Sequence, residues 1–268
     1  MKKRDIIVDL DGTLLDQNRM ISPKTQEYII NNKDKYKFHL ATGRSRVNTM
    51  DIYDKLDLNS PIINFNGRSI GYANRRLKTY YIEPGLLKII YEVAMREKAY
   101  AIYYENDDFI YMLGDKKINT PFFKKDRCIF FREQQQILEK IVSVLIFVRK
   151  SGAEAMANKF KSIEGIDIFK WNANKNLICM ELQQENISKA TAITWLLEKS
   201  LVKEDFIFFG DGVNDVEVFN KYPKNSIIMK NSDIKLANLK RTEHDNSDDG
   251  VIRMLEKIDS YEGDIYGI

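Results

Sequence analysis

The chain is poor in cysteine and histidine, with two of each among 268 residues. Cys128 and Cys179 lie far apart and form no Cys-x-x-Cys pair, which argues against a disulfide framework and a cysteine zinc site. Both sit among apolar residues, so buried thiols are expected. His39 and His244 are too few for a histidine-rich metal centre, and His39 falls in a predicted strand where it is expected to pack. Long apolar runs are also missing. The longest, residues 142–148, is far short of the ~20 residues a spanning helix needs. At the start, Asp9 and Asp11 cut the first apolar run short of a signal peptide. No membrane partner and a cytoplasmic location are therefore expected, and the sequon Asn186-Ile187-Ser188 would carry no sugar. Charge of one sign is lacking too. The formal net charge is +3, and the basic runs at Lys2 to Arg4 and at Lys124-Lys125 are short and flanked by acids. A nucleic-acid binder usually carries a basic stripe and a large excess of Lys and Arg, so no nucleic-acid partner is expected.

What is present is a globular composition, 44% hydrophobic and 30% charged. The length allows one large or two small domains. Ile6-Ile7-Val8 reads as a fully buried strand of a parallel sheet. Ser22-Pro23 opens a helix, with Ser22 at the N-cap and Pro23 at the first helical position. A strand over residues 37–41, a helix over 45–55 and a strand over 61–64 follow. The same alternation returns late: a helix over 188–197, a strand over 206–209, a helix over 213–219, a strand over 226–229, a helix from about Ser232 and a last helix over 249–257. Strand alternating with helix predicts a doubly wound, mainly parallel, Rossmann-like α/β core sheet. Between them the strands are longer and aromatic, at 100–104, 109–113, 142–149, 167–171 and 176–182, with helices near 86–97 and 153–162. The organisation predicted is a core over 1–78 and 186–268 with an inserted α+β domain over 79–185. Residues 116–136 show no regular pattern.

In open α/β sheets, ligands bind just beyond the carboxyl ends of the strands. The first strand delivers Asp9 and Asp11 there, the second Thr42 and the third Asn66. A late strand delivers Asp211, with Asn214 and Asp215 on the next turn, and Lys189 opens a helix. Two unit charges at ~4 Å repel by ~4 kcal/mol at an effective dielectric near 20, so four carboxylates call for a cation or raised pKa values. Oxygen ligands with few protein carboxylates suit Mg2+, expected on Asp9, Asp211 and the backbone carbonyl of Asp11. An EF-hand loop is excluded, because Gly12 comes too early and Met20 stands where that loop needs Glu. Phosphoryl transfer needs positioning and charge stabilisation. The Thr42 hydroxyl, the N–H of Gly43 and Lys189 are suitable donors to a phosphoryl group. Asp9 is the expected nucleophile, through an aspartyl-phosphate, and Asp11 the acid and then base. Taken singly, each motif has a bland reading as turn or cap chemistry. Asn66-Gly67 is by itself a common hairpin signal. Their order and common strand-end placement carry the inference.

Asp9-Leu10-Asp11-Gly12-Thr13, Ala41-Thr42-Gly43-Arg44, Lys189 and Gly210-Asp211-Gly212-Val213-Asn214-Asp215 together resemble the haloacid dehalogenase superfamily of phosphatases. The insert, with Asn66-Gly67 before it, resembles the Cof-type subfamily with a IIB cap. The resemblance spans essentially the whole chain and includes Asp249-Gly250-Val251 near the end. It implies Asp9 as nucleophile, Asp11 as general acid/base, and Thr42 and Lys189 as phosphate binders. It implies Asp211 as metal ligand, Asp215 supporting the metal through water or Lys189, and Asn214 at the phosphoryl group. The inserted domain would act as a lid, and the substrate would be a small phosphorylated metabolite such as a sugar phosphate. Two departures stand out: Ala190 follows Lys189 where Gly is usual, and Arg68 follows Asn66-Gly67 where a small residue is usual. Asn66, Gly67 and Arg68 are candidates for the substrate entrance, and Arg68 is expected to face solvent. A phosphomutase and a non-enzymatic phosphoaccepting signalling domain remain as alternatives. Oligomeric state is not legible.

Overall fold

The computed structural model describes residues 3–106, 108–113, 128–131, 140–236 and 239–260. Lys124-Lys125 and most of the unpatterned stretch 116–136 fall outside them. The chain divides into two compact units, one of Met1–Gly43, Met50–Leu77 and Ser188–Ile268, the other of Arg44–Thr49 and Lys78–Ile187.

The first unit is built on β1 (Arg4–Val8), β2 (Tyr36–Leu40), β12 (Ile207–Gly210), β13 (Ser226–Ile228) and β14 (Lys240–Arg241). They form one parallel sheet in the order β14-β13-β12-β1-β2. A parallel bridge from Ala41 to Ile63 sets β3 (Ile62–Asn64) beside β2. β1 is central, and Ile6, Ile7 and Val8 are all fully buried, as a strand covered on both faces requires. Ile6 and Val8 pack with α1 (Pro23–Asn31), α2 (Met50–Lys55) and α7 (Gly250–Ser260) through Ile29, Tyr53, Ile252 and Leu255. Ile7 faces the other way, toward Ile193 and Leu196 of α5 (Lys189–Glu198) and Phe219 of α6 (Val216–Lys221). Each such side chain contributes roughly 1.5–3 kcal/mol by leaving water. Helix starts follow their caps. The Ser22 hydroxyl accepts from Thr25 N at 3.0 Å with Pro23 in the first turn. In α5 the Ser188 N–H donates to Thr191 Oγ1 at 2.9 Å. β3 also pairs antiparallel with β4 (Ser69–Gly71), itself beside β5 (Arg76–Thr79).

Two helices read from the sequence are corrected. α2 begins at Met50, not Ser45. Residues 45–49 form turns closed by Asn48 N on Ser45 O and Thr49 N on Arg46 O, and cluster with the second unit. No helix starts at Ser232 among the described residues. There the Arg241 guanidinium donates to the carbonyls of Met229, Ser232 and Ile234, holding the chain in an irregular path. His39 is buried, as expected, with Nε2 at 2.8 Å from Asp5 Oδ1 and Nδ1 at 3.2 Å from the Pro61 carbonyl.

The second unit carries a sheet in the order β10-β11-β9-β6-β7-β8. Its strands are β6 (Ala101–Glu105), β7 (Ile110–Leu113), β8 (Cys128–Phe131), β9 (Ser143–Arg149), β10 (Ile166–Asn172) and β11 (Leu177–Gln184). All pairs are antiparallel except β7–β8. Ile102, Val144, Ile146 and Leu182 pack on α3 (Pro84–Arg96) and α4 (Ala153–Lys161) through Ile90, Ala94, Met156 and Phe160. Alternation sends Tyr103, Leu145, Phe147 and Cys179 to the opposite face. Cys179 is buried and Cys128 half-buried, and they form no disulfide. No described helix is long and apolar enough to cross a membrane.

Candidate active site

The carboxyl ends of β1 and β12 lie side by side, with Val8 opposite Phe209 and Asp9 N donating to the Phe209 carbonyl at 2.9 Å. Parallel pairing therefore brings Asp9 and the 211–215 turn together. Asp9, Asp211 and Asp215 each offer a carboxylate oxygen within 4.8 Å of the others. Lys189, at the first position of α5 and fully buried, donates to Asp9 Oδ1 at 2.6 Å and to Asp215 Oδ1 at 2.7 Å. The second oxygen of Asp215 accepts the N–H groups of Asp211 and Gly212, each at 3.0 Å. Asp215 is thus spent inside the protein, on the lysine and on the turn.

Asp9 and Asp211 are not spent. Thr13 donates its hydroxyl to Asp211 Oδ1 at 2.7 Å, leaving Oδ2 with no hydrogen bond among the described residues. Asp9 Oδ2 is likewise left over once Oδ1 is on Lys189. Burial pushes the Asp9 carboxyl up to about 8, with Lys189 opposing and Asp215 and Asp211 adding to it. Asp211 is pushed to about 6, chiefly by burial. For Lys189 burial works against the charge, but Asp215 and Asp9 outweigh it and hold the ammonium above its ordinary pKa. One lysine does not balance three clustered carboxylates. The oxygen-only donor set, with one oxygen left on each of Asp9 and Asp211, fits a hard divalent cation.

Backbone space is tight here for a reason. Gly12 has φ +83, and a Cβ on it would lie 2.2 Å from Asp211 Oδ2, so only glycine lets the first loop close on that carboxylate. Asp11 is half exposed, with Arg19 Nε at 4.0 Å. Thr42, at the end of β2, is buried, and its carbonyl accepts Asn66 N at 3.0 Å. Asn214 Nδ2 donates to Asn66 Oδ1 at 2.9 Å, and a Cβ on Gly43 would touch that same oxygen at 3.0 Å. Thus Thr42, Gly43, Asn66 and Asn214 meet. Asn66 and Gly67 turn inward in a left-handed bend, with φ +53 and +107. A Cβ on Gly67 would lie 2.1 Å from the Ser188 carbonyl, so this bend abuts the start of the Lys189 helix. Arg68 is a correction: it is fully buried, not solvent-facing.

Three contributors were not assigned roles from the sequence. Thr13 orients Asp211. Ser232 donates its hydroxyl to the Asp211 carbonyl at 2.6 Å, and Asn231 Nδ2 donates to the Gly12 carbonyl at 2.8 Å. Asn231 and Ser232 follow β13, so the strand-end rule applied to that strand as well would have singled them out.

The family model of the haloacid dehalogenase-like hydrolases matches residues 6–255. The chain belongs to that family. A curated relative, the 5-amino-6-(5-phospho-D-ribitylamino)uracil phosphatase YitU of Bacillus subtilis, is 26% identical over 262 residues, covering 94% of this chain and 96% of that protein. Among solved structures, a haloacid dehalogenase-like hydrolase from Bacteroides thetaiotaomicron superposes with TM-score 0.81 at 20% identity, covering 96% of this chain and all of that one (100%). TM0651 from Thermotoga maritima gives 0.79 at 24% identity, covering 96% and 98%. At those identities the superpositions speak for the fold alone.

Proposed function

We propose that the chain is a magnesium-dependent phosphatase of small phosphomonoesters, sugar phosphates or related cytoplasmic metabolites, acting through an aspartyl-phosphate on Asp9. The observation that carries this reading is the Asp9 carboxylate itself. It is held by Lys189 through one oxygen and has the other left over, at the end of the central strand. Family membership and the phosphorylated small molecule in the name of the Bacillus subtilis relative support the same class.

Asp9 attacks phosphorus as the ester P–O bond breaks, and Asp11 gives its proton to the leaving oxygen. Water then attacks phosphorus in the acyl phosphate and Asp11 takes up the water's proton. Inorganic phosphate leaves and the Asp9 carboxylate returns. Lys189, the Thr42 hydroxyl, the Gly43 N–H and Asn214 hold the phosphoryl oxygens, where positioning and charge compensation do most of the catalysis. The carboxylates of Asp9 and Asp211 and the carbonyl of Asp11 would hold Mg2+, which supplies charge neutralisation between the nucleophile and an anionic substrate. Asp215 keeps Lys189 and the 211–212 amides in place.

The test is hydrolysis of p-nitrophenyl phosphate with Mg2+, comparing wild type with Asp9→Asn. Turnover should fall by ~10³-fold or more, and acid-quenched wild type should carry phosphate on Asp9. Undiminished turnover in Asp9→Asn would refute the assignment.

A further inference from the structure

Asp11, the acid of the proposed reaction, does not stand alone at the rim of the site. Asp11 and Arg19 belong to one short loop of the first unit, with Arg19 Nε 4.0 Å from Asp11 Oδ1. About half of each side chain is open to solvent, 48% for Arg19 and 47% for Asp11. At that distance the pair is a charge contact and not a hydrogen bond. An exposed pair of this kind adds little stability. Holding the fold together is therefore a poor account of the arginine.

The loop keeps Arg19 in place. Leu15 at one end and Ile21 at the other are buried in the core of the first unit. Between them Asp16 N donates to the Met20 carbonyl and Arg19 N to the Asp16 carbonyl, both at 2.9 Å. Asp16 Oδ1 accepts the N–H groups of Asn18 and Met20, each at 2.8 Å. Arg19 itself has φ +61, in the left-handed region where Gly, Asn and Asp are at ease and a long side chain is strained. A turn that had only to reverse the chain would carry one of those residues there. An arginine anchored in this way loses less freedom when it takes hold of a ligand, and its fork of N–H groups matches the paired oxygens of a carboxylate or phosphate.

Its place relative to the chemistry decides which part of a substrate it would meet. Lys189, Thr42, Gly43 and Asn214 serve the reacting phosphoryl group in the proposed reaction, whereas Asp11 serves the leaving oxygen. An ester oxygen taking a proton from Asp11 Oδ1 sits about 3 Å from that atom, and so within roughly 7 Å of Arg19 Nε. A few bonds of the leaving group span that gap.

We propose that Arg19 is a specificity residue that binds a second anionic oxygen group on the leaving group. The preferred substrates are then phosphomonoesters with a further carboxylate or phosphate a few bonds from the ester oxygen. This rests on the phosphatase reading with Asp11 as the acid.

Rates of phosphate release from matched esters, with Mg2+ present, test it. 3-Phosphoglycerate and glycerol 3-phosphate share a carbon skeleton and differ in a carboxylate against a neutral alcohol. 1,3-Propanediol bisphosphate and its monophosphate make the same comparison for a second phosphate. In at least one pair the more anionic ester should have a kcat/KM higher by about 10-fold or more, the scale of a charge-assisted hydrogen bond, and the pair that shows it tells carboxylate from phosphate. In Arg19→Met that ratio should fall to about 1, and Arg19→Lys, which keeps the charge, should retain part of it. Added salt should lower the wild-type ratio, because a contact at the rim is screened. p-Nitrophenyl phosphate, which carries no second anion, reports the phosphatase chemistry by itself. If it is hydrolysed in an Asp9-dependent way while neither pair shows a preference, or while the preference survives in Arg19→Met, the inference is overturned and the phosphatase reading stands. If p-nitrophenyl phosphate and all the matched esters are left intact, both fail together.

Discussion

Lys189 and Asp9 stand 180 positions apart in sequence, and their side chains meet at 2.6 Å in the interior of the first unit. The contact depends on two unrelated choices of chain geometry. β1 must end at Val8 so that Asp9 leaves the sheet, and α5 must start at Lys189, which the Ser188 cap arranges. Lys189→Met keeps the bulk and removes the charge. Asp9 and Asp215 would then be buried without their cation. Losing one partner of a buried pair costs ~3–5 kcal/mol, and here the lower end is expected because Asp9 can take up a proton. Denaturant unfolding should show that loss, together with a kcat for p-nitrophenyl phosphate lower by ~10²-fold or more. A variant of full stability would mean that the lysine does not neutralise these carboxylates.

Much of this site is legible in the sequence because the chemistry sits at strand ends, and strand ends are marked. Ile6-Ile7-Val8 stops at Asp9, and residues 207–210 stop at Asp211. The Lys189 helix is marked by Ser188. What the sequence hides is whatever depends on contacts between distant segments. Arg68 is charged, and charged side chains are mostly exposed, yet it is fully buried. A helix is expected from about Ser232, but the carbonyls of Ser232 and Ile234 are claimed by the Arg241 guanidinium. Glu105, Ser143 and Gln183 line up across the second unit's sheet only once β6, β9 and β11 are in register, and no local pattern announces that register.

Gly12 offers a sharper perturbation. Alanine at φ +83 costs ~1 kcal/mol of backbone strain, and its methyl would overlap the free oxygen of Asp211. Gly12→Ala should therefore displace a site carboxylate while sparing the hydrophobic cores. The expected outcome is kcat/KM lower by ~10²-fold, the scale of a misplacement near 1 Å, with a modest change in melting temperature. Unchanged kinetics would mean that the close approach of loop and carboxylate is not needed for turnover.

Asp211 and Asp215 are neighbours with different work to do, and Mg2+ affinity should separate them. Asp211 keeps an oxygen for a metal, whereas both oxygens of Asp215 are occupied. Chelation with EDTA should abolish turnover and added Mg2+ should restore it. Calorimetric titration with Mg2+ should show Asp211→Asn binding more weakly than Asp215→Asn, whose loss should stay within the ~10–100-fold typical of a supporting residue. The opposite order would make Asp215 the direct ligand.

His39 and Asp5 give the first unit a built-in acid sensitivity. Burial holds the His39 pKa below its ordinary 6.5, with Asp5 opposing that shift. The unfolded chain therefore binds a proton on this histidine at a pH where the folded chain does not. The stability it contributes is complete above about pH 6.5 and declines as pH falls toward the lower folded value. Asp5 is lowered too. Burial opposes its charged form, but the His39 contact and the Lys203 N–H at 3.0 Å outweigh it, so its share is lost only below about pH 4. Glu105 and Asp9 have raised pKa values and work in the opposite direction, so the whole-protein profile is a sum. The difference between wild type and His39→Gln isolates the histidine. The variant should be ~1–3 kcal/mol less stable at pH 7.5, from an imperfectly replaced buried hydrogen bond. That deficit should shrink on going to pH 5, because the variant has no imidazole to protonate. Denaturant unfolding at both pH values measures it. A deficit that grows in acid would mean that His39 is charged in the folded chain and paired as an imidazolium with Asp5.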